Sequence, residues 1–217
     1  MSALPPPGPV KAVVFDMDGV LIDARDWHYE ALNRALGLFG HSISRYDHLV
    51  TFDGLPTRQK LEMLTRERDL PRGLHPFLNE LKQIYTIELV HARCKPRFTH
   101  EFALSHLRAA GYRLAVASNS VRQSVELMME KSNLASYLEV LVSNEDVRHA
   151  KPHPEIYQYA MAKLGTRPEE TLIVEDNPHG IAAAQAAGAH LLVVHSPAEV
   201  TLDRLHWRLA ELNPPSA

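Results

Sequence analysis

The chain has 217 residues, of which 45% are hydrophobic and 23% charged, a composition typical of an ordinary globular protein. A net charge of −3 argues against a nucleic-acid-binding surface, and a single cysteine, Cys94, excludes an internal disulfide and any cysteine-rich zinc site. No apolar run approaches the roughly 18 residues of a membrane span, and the proline-rich first nine residues lack a signal-peptide pattern. We therefore expect a cytoplasmic protein with a loose N-terminal tail. We expect its 13 histidines to be scattered without a His-x-x-x-His or similar metal-ligand spacing, and most of them to have surface or packing roles.

The first predicted element is a short buried strand over residues 10–15, rich in valine. Asp16 and Asp18 follow it, and in a continuing strand they would point to the same face. Gly19 then allows a sharp turn with positive φ. Two carboxylates this close repel each other unless a cation lies between them, and oxygen ligands suit Mg²⁺. The alternative interpretation of these residues is an ordinary polar turn after a strand.

Apolar residues at helical spacing predict three helices, over residues 26–39, 57–66 and 76–90, and no strand between residues 24 and 95. Beyond residue 96 the pattern alternates. It predicts helices over residues 99–110, 121–131, 155–164 and 180–187, and strands over 113–117, 140–142, 172–174 and 191–194. This alternation indicates an α/β fold with a parallel sheet and helices on both faces. Residues 24–95 then form a helical insertion after the first strand.

Polar side chains follow every predicted strand except the last. Because the carboxyl ends of parallel strands meet at one edge of the sheet, we expect these side chains to converge. They supply acids for a cation, a hydroxyl and backbone N–H groups for a phosphate, and a lysine for charge balance. The residues concerned are Asp16, Asp18, Ser118, Asn119, Lys151, Glu175 and Asp176, with Asn144-Glu145-Asp146 leading towards Lys151.

Four segments resemble, in the same order, the four motifs of the haloacid dehalogenase superfamily. They are Phe15-Asp-Met-Asp-Gly-Val-Leu21, Ala117-Ser-Asn-Ser120, Lys151-Pro152 and Val174-Glu-Asp-Asn-Pro-His-Gly-Ile181. The resemblance covers residues 10 to about 197 and is strongest to sugar-phosphate phosphatases and β-phosphoglucomutases with a helical cap. It implies a Rossmann-like core domain of residues 10–23 and 96–212, and a cap domain of residues 24–95.

The resemblance also implies a role for each motif residue. Asp16 would be the nucleophile that forms an aspartyl-phosphate, and Asp18 the general acid and base. Ser118 and Asn119 would hold the phosphoryl oxygens, and Lys151 would neutralise the charge between nucleophile and phosphate. The implied cofactor is Mg²⁺, and its ligands would be Asp16, Asp18 through its backbone carbonyl, Asp176, and Glu175 assisting through water.

Substrate-facing residues of the cap, by the same resemblance, would be His28, Gly54 and Arg58 of the loop Gly54-Leu-Pro-Thr-Arg58, and Lys82. The alternative interpretation is that His28 packs beside Trp27 and that Arg58 and Lys82 are solvated helix charges. Two departures from the family pattern weaken the transfer of any particular substrate. Ala24 stands where phosphoglucomutases carry a hydroxyl residue, and residues 94–98 lack the usual Pro-Gly.

The function implied is a Mg²⁺-dependent phosphatase for a small phosphorylated metabolite of the sugar-phosphate type. Because Asp18 can protonate a leaving oxygen, phosphoryl transfer is favoured over carbon–halogen cleavage, whose enzymes in this superfamily lack that acid. A β-phosphoglucomutase-like phosphomutase remains an alternative, as does a non-catalytic phosphate-binding or phospho-receiver module. The expected partner is a small phosphate ester, with no nucleic acid or membrane, in a monomer or weak homodimer.

Overall fold

The computed structural model describes residue 4 and residues 6–214, so part of the predicted N-terminal tail lies outside the described residues. The described residues form a parallel five-stranded sheet with strand order β3-β2-β1-β4-β5. The strands are β1 (Ala12–Phe15), β2 (Arg113–Ala117), β3 (Val140–Val142), β4 (Thr171–Glu175) and β5 (His190–Val193). The α/β fold with a parallel sheet is confirmed.

Strand β1 lies at the centre of the sheet and is completely buried, because both of its edges pair and both of its faces are covered. Val13 and Phe15 belong to the hydrophobic cluster on one face, and Ala12 and Val14 to the cluster on the other. Val10 was predicted in this strand but lies outside it. Its N–H donates to Oδ1 of Asn213 (2.8 Å), and its carbonyl accepts from Nδ2 of the same side chain (3.2 Å).

The helices of the sheet region lie in the intervals between strands and after β5. They are α5 (Phe98–Ala109), α6 (Arg122–Lys131), α7 (Glu155–Leu164), α8 (Pro178–Ala186) and α9 (Leu202–Leu212), with 3-10 helices at Ala135–Tyr137, Asn144–Asp146, Pro168–Glu170 and Pro197–Glu199. The predicted helices and strands all occur, with ends within three residues of the prediction.

Helix α9 was not predicted, although its sequence contains the signal. Leu202, Leu205 and Leu209 recur at helical spacing and are buried against the sheet cluster. Thr201 caps the helix, since its hydroxyl accepts from the N–H of Arg204 at 3.3 Å.

Residues 24–95 contain helices and no strand, as predicted, and the structure describes this block throughout. The helices are α1 (Arg25–Gly37), α2 (Arg45–Asp47), α3 (Thr57–Arg68) and α4 (His75–Arg93), with a π-helix at His48–Phe52 and a 3-10 helix at Arg72–Leu74. The block has its own hydrophobic cluster, which includes Leu36, Leu61 and Leu78. The division into a core domain and a cap domain remains a proposal, which this separate cluster supports. Among the described residues, no helix is both long and apolar enough to cross a membrane.

Candidate active site

The loop after β1 turns sharply and brings two acids to the carboxyl edge of the sheet. The N–H of Asp16 still donates to the carbonyl of Val174 (2.9 Å), so Asp16 continues the ladder and stays 7% exposed. Gly19 has φ +94°, and a Cβ built there would lie 2.0 Å from Oδ2 of Asp176. A glycine is therefore required both for this turn and for the approach of the Asp176 carboxylate to the backbone.

Lys151 reaches this edge from the loop before α7 and contacts two carboxylates. Its buried Nζ donates to Oδ1 of Asp16 (2.5 Å) and to Oε1 of Glu175 (2.8 Å). Burial acts to lower the pKa of Lys151, but the charges of Asp16 and Glu175 outweigh it and raise the pKa. Lys151 therefore stays charged beside the predicted nucleophile.

Glu175 is fully enclosed by donors. Its Oε1 also accepts from the hydroxyl of Tyr157 (2.6 Å), and its Oε2 accepts from the N–H groups of Asp176 (2.9 Å) and Asn177 (3.1 Å). With four donors on two oxygens, its common acceptor positions are filled. Tyr157 was missed at the sequence level, because on α7 it is one more large residue of a buried helix face.

Three acidic residues at this edge could hold a metal ion. One carboxylate oxygen from each of Asp16, Glu175 and Asp176 lies within 4.8 Å of the others. Oδ1 of Asp176 is buried and has no hydrogen-bond partner among the described residues, and its Oδ2 accepts from Nη2 of Arg25 (2.8 Å). A buried carboxylate oxygen without a donor is costly unless a cation meets it. An oxygen-only donor set with such an oxygen fits Mg²⁺.

The pKa values of Asp16 and Asp176 are both raised, which indicates that the acidic cluster lacks positive charge. Burial raises the pKa of Asp16 well above its usual range, Lys151 acts to lower it, and the neighbouring acids raise it further. Burial and Glu175 raise the pKa of Asp176 to about 7, against the opposing effect of Arg25. Both carboxylates would ionise more readily with a divalent cation between them.

Asp18 is held by a second set of partners. Its Oδ2 accepts from the hydroxyl of Ser120 (2.9 Å), and its Oδ1 lies 3.1 Å from Nε2 of His28. Nδ1 of His28 lies 3.2 Å from Nζ of Lys82. Burial acts to raise the pKa of Asp18, but His28, Ser120 and Lys82 together lower it. The surroundings therefore lower the pKa of Asp18, whereas they raise the pKa of Asp16.

Ser118 and Asn119 follow β2, at the same edge of the sheet. Ser118 is buried, and its Oγ accepts from the N–H of Ser120 (3.1 Å). The Asn119 amide donates to the carbonyl of Gly54 (2.9 Å), and its Oδ1 accepts from the N–H of Lys151 (3.0 Å). Asn119 thus links the Lys151 loop to the helical block.

All the predicted site residues except Asp176 line one pocket of about 270 Å³, and a carboxylate oxygen of Asp176 lies within 4.8 Å of oxygens of Asp16 and Glu175, which line it. Arg58 is exposed at the start of α3, and Lys82 is half-buried on α4. Lys60 also lines the pocket but was not predicted. It is buried, its Nζ has no hydrogen-bond or ion-pair partner among the described residues, and burial lowers its pKa to about 8. Burial together with Lys60 lowers the pKa of Lys82 to about 7.

Arg25 and Asp53 are two further pocket residues that the sequence analysis missed. Nε of Arg25 lies 3.0 Å from Oδ2 of Asp53, and its Nη2 binds Asp176, so one guanidinium joins the helical block to the acidic cluster. The sequence position of Arg25 does not indicate a role in the pocket, because an arginine at the start of a helix is normally a solvated charge.

Known proteins resemble this chain in sequence and in fold. Residues 13–194 match the family model of the haloacid dehalogenase-like hydrolases. The chain is 30% identical over 192 residues to a phosphorylated carbohydrates phosphatase of Thermotoga maritima, covering 86% of this chain and 87% of that protein. It is also 30% identical over 182 residues to the pyrophosphatase PpaX of Anoxybacillus flavithermus, covering 82% and 80%.

Among solved structures, a β-phosphoglucomutase of Clostridium difficile has a TM-score of 0.80 at 19% identity, covering 93% of this chain and 98% of that one. CbbY of Rhodobacter sphaeroides, solved with phosphate, has a TM-score of 0.79 at 24% identity, with 88% of each chain covered. These structures share the fold of this chain. The family match spans most of the chain and includes all four strand-end motifs. This chain is therefore an enzyme that belongs to the haloacid dehalogenase-like hydrolases.

Proposed function

We propose that the protein is a Mg²⁺-dependent phosphatase that hydrolyses a small phosphorylated metabolite of the sugar-phosphate type through an aspartyl-phosphate on Asp16. The observation that carries the proposal is the contact of Asp16 with Lys151 at 2.5 Å, in a pocket that Asp18 also lines. Lys151 and a bound cation would favour the ionised, nucleophilic form of Asp16 against the burial that raises its pKa. The named relative from Thermotoga maritima, a phosphatase of phosphorylated carbohydrates, supports the same substrate class.

In the first step, an oxygen of Asp16 forms a bond to phosphorus while the bond from phosphorus to the ester oxygen breaks. A phosphate ester bound beside Asp18 adds negative charge that opposes ionisation of this carboxyl, so Asp18 can carry a proton although its neighbours lower its pKa in the free site. Asp18 gives that proton to the leaving oxygen. It then takes a proton from the water that attacks the aspartyl-phosphate, and the bond from phosphorus to Asp16 breaks to release phosphate. Lys151 and the Ser118 hydroxyl stabilise the negative charge on the phosphoryl oxygens. Mg²⁺, bound by Asp16, Asp176 and the backbone carbonyl of Asp18, would supply further charge neutralisation.

Glu175 was predicted to assist the metal through water. We propose that its main task is to position Lys151, because its oxygens already accept four hydrogen bonds. Asn119 was predicted to hold phosphoryl oxygens. Its bonds to Gly54 and Lys151 support a positioning role for its side chain.

The helical block supplies the part of the pocket that distinguishes substrates. Arg58, Lys60 and Lys82 place three basic side chains in the lining of the pocket. A substrate with anionic or hydroxyl-rich groups beyond the reacting phosphate would offer acceptors for them. These groups would contact the remainder of the substrate, and the strand-end residues would contact the phosphoryl group.

A phosphatase is favoured over a phosphomutase by one residue. Ala24 is completely buried and apolar at the position where the mutases of the family carry a hydroxyl. The same pocket would otherwise serve either reaction, since both use Asp16 and Asp18.

The test is a screen of sugar phosphates, polyol phosphates, pyrophosphate and nucleotides for phosphate release with Mg²⁺, run on the native protein and on Asp16→Asn. We expect phosphate release from a subset of sugar or polyol phosphates, and no turnover by the folded Asn variant. Substantial turnover by Asp16→Asn would remove Asp16 from the nucleophile role. Conversion of a hexose phosphate into its isomer without release of phosphate would identify a mutase instead.

A further inference from the structure

A second group of potential metal ligands lies on the loop that leads into α7. His149, His153 and Glu155 each offer one ligand atom, and these atoms lie within 4.8 Å of one another. Nδ1 of His149 is 2.8 Å from Oε2 of Glu155, and Nδ1 of His153 is 3.9 Å from the same oxygen. The two imidazole rings lie with their centroids 4.7 Å apart. None of these residues belongs to the acidic cluster of the active site.

The local backbone explains why two side chains four residues apart converge. The N–H of His153 donates to the carbonyl of Ala150 (3.0 Å), which closes a tight turn between the two histidines. Glu155 begins α7, and its carboxylate accepts from the N–H groups of Arg148 (2.9 Å) and His149 (3.0 Å). The expectation that the histidines lack a metal-ligand spacing is wrong here, because His149-Ala-Lys-Pro-His153 is a His-x-x-x-His spacing.

The chemistry of the three groups suits a transition metal better than Mg²⁺. Two neutral imidazoles and one carboxylate are a common ligand set for Zn²⁺, whose bonds to them are about 2.0–2.2 Å long. Bonds of that length in tetrahedral geometry place ligand atoms about 3.3 Å apart. The observed separations of 2.8 and 3.9 Å fall on either side of that value, so small rotations of the side chains would form the site.

We propose that His149, His153 and Glu155 form a binding site for a divalent transition metal of the Zn²⁺ type, separate from the active-site cluster. The imidazoles are half or more exposed, so an ion can enter from solvent and water can complete the coordination. On binding, Nδ1 of His153 exchanges its hydrogen bond from the N–H of Glu155 (3.2 Å) for the ion.

The two histidines flank Lys151 in the sequence, two residues away on either side. An ion bound to His149 and His153 would tie the two ends of that turn together and restrain the loop. Binding only to the folded arrangement would also stabilise the protein, by an amount that grows with the logarithm of ion concentration above the Kd.

The test is calorimetric titration of the native chain with Zn²⁺ in excess Mg²⁺, which occupies the acidic cluster. We expect one saturable site, with affinity lowered about tenfold or more in the double variant His149→Ala/His153→Ala. The matched control is His91→Ala/His195→Ala, which removes two exposed histidines elsewhere and should bind as the native chain does. Glu155→Gln, which keeps hydrogen-bond acceptors and removes the charge, should weaken binding to a smaller degree.

A second measurement does not depend on the variants. The ring resonances of His149 and His153 in nuclear magnetic resonance spectra of the native protein should shift or broaden with Zn²⁺ before those of the other histidines. Absence of saturable binding would overturn the proposal. So would equal affinity in the native chain and the double variant, or a Zn²⁺ response confined to other histidine rings.

Discussion

At the scale of single residues, one oxygen of Glu175 determines where the active-site lysine lies. Oε1 accepts both from Nζ of Lys151 and from the hydroxyl of Tyr157, at 2.8 and 2.6 Å. Burial, followed by the charges of Glu175 and Asp16, raises the pKa of Tyr157 well above its usual range, so the tyrosine remains a donor. The Tyr157 hydroxyl holds Oε1 of Glu175 in place, and Lys151 bridges this oxygen and Oδ1 of Asp16.

Replacing Tyr157 with Phe should destabilise the protein by about 1–3 kcal/mol, because a buried carboxylate oxygen loses a donor that water cannot replace. Turnover should also fall, with little change in KM, since Lys151 would be held less firmly beside Asp16. Chemical denaturation and steady-state kinetics measure the two effects. The matched control is Tyr159→Phe on the same helix, where the side chain is only partly buried. Equal unfolding free energies for the native protein and Tyr157→Phe would contradict this account.

The Mg²⁺ requirement should depend on Asp176. Asp176→Asn keeps the size of the side chain but removes its charge from the oxygen cluster, so the Mg²⁺ concentration for half-maximal activity should rise about tenfold or more. Asp53→Asn is the control, because it also removes an acidic partner of Arg25 but lies outside the cluster. The measurement is activity against Mg²⁺ concentration. Full activity of the native enzyme in EDTA would refute the metal dependence altogether.

At the scale of secondary-structure elements, helix α8 can begin where it does only because residue 180 has no side chain. A Cβ built on Gly180 would lie 1.6 Å from Oε1 of Glu175 and 2.0 Å from its carboxyl carbon. The first turn of α8 therefore packs directly on the carboxylate that positions Lys151. The close approach brings helix, strand end and active site into one packed unit.

Gly180→Ala should destabilise the protein by about 1–3 kcal/mol, the usual cost of overpacking a buried site, and should reduce turnover by displacing Glu175. The control is Gly37→Ala at the end of α1, where an added Cβ meets nothing in the described chain within 4 Å. That control should leave stability unchanged or raise it slightly. Thermal unfolding and turnover of the two variants provide the measurement. A Gly180→Ala enzyme as stable and active as the control would show that α8 can shift without cost.

At the scale of the whole molecule, the helical block and the sheet region meet through polar contacts around the pocket. The carbonyl of Gly54 accepts from the Asn119 side chain, and Arg25 joins Asp53 to Asp176. A few bonds of this kind can break and re-form when substrate enters. Under the proposed function, the block would therefore close the pocket and bring Arg58 and Lys60, which line it, towards the substrate.

Arg58→Ala should lower kcat/KM by an amount equivalent to about 1–3 kcal/mol for a preferred anionic or hydroxyl-rich substrate, the scale of a lost charge-assisted hydrogen bond. The loss should be much smaller for a small aryl phosphate that reaches only the strand-end residues. Arg66→Ala, also exposed and on the same helix, is the matched control and should affect neither substrate. Equal losses on both substrates would mean that Arg58 serves the chemistry or the closure of the pocket.

The sequence by itself determined the order of helices and strands and the residues at each strand end. Both follow from local rules: the spacing of apolar residues sets the element type, and parallel strands bring their carboxyl ends to one edge. Asp16, Asp18, Ser118, Lys151, Glu175 and Asp176 could be named in this way, and the structure brings them together. Helix α9 carried the same kind of signal in its leucines and was missed only because it follows the last strand.

Only the tertiary structure decided which side chains support that edge from elsewhere. Tyr157, Arg25 and Lys60 are ordinary residues of helices by sequence, and their partners lie 18 or 151 positions away or, for Lys60, are absent among the described residues. Such contacts depend on how a helix is rotated and packed against the sheet, which the spacing of apolar residues does not specify. The apolar pattern fixes the buried face of each helix, whereas the polar contacts at the edge of that face are decided by three-dimensional packing.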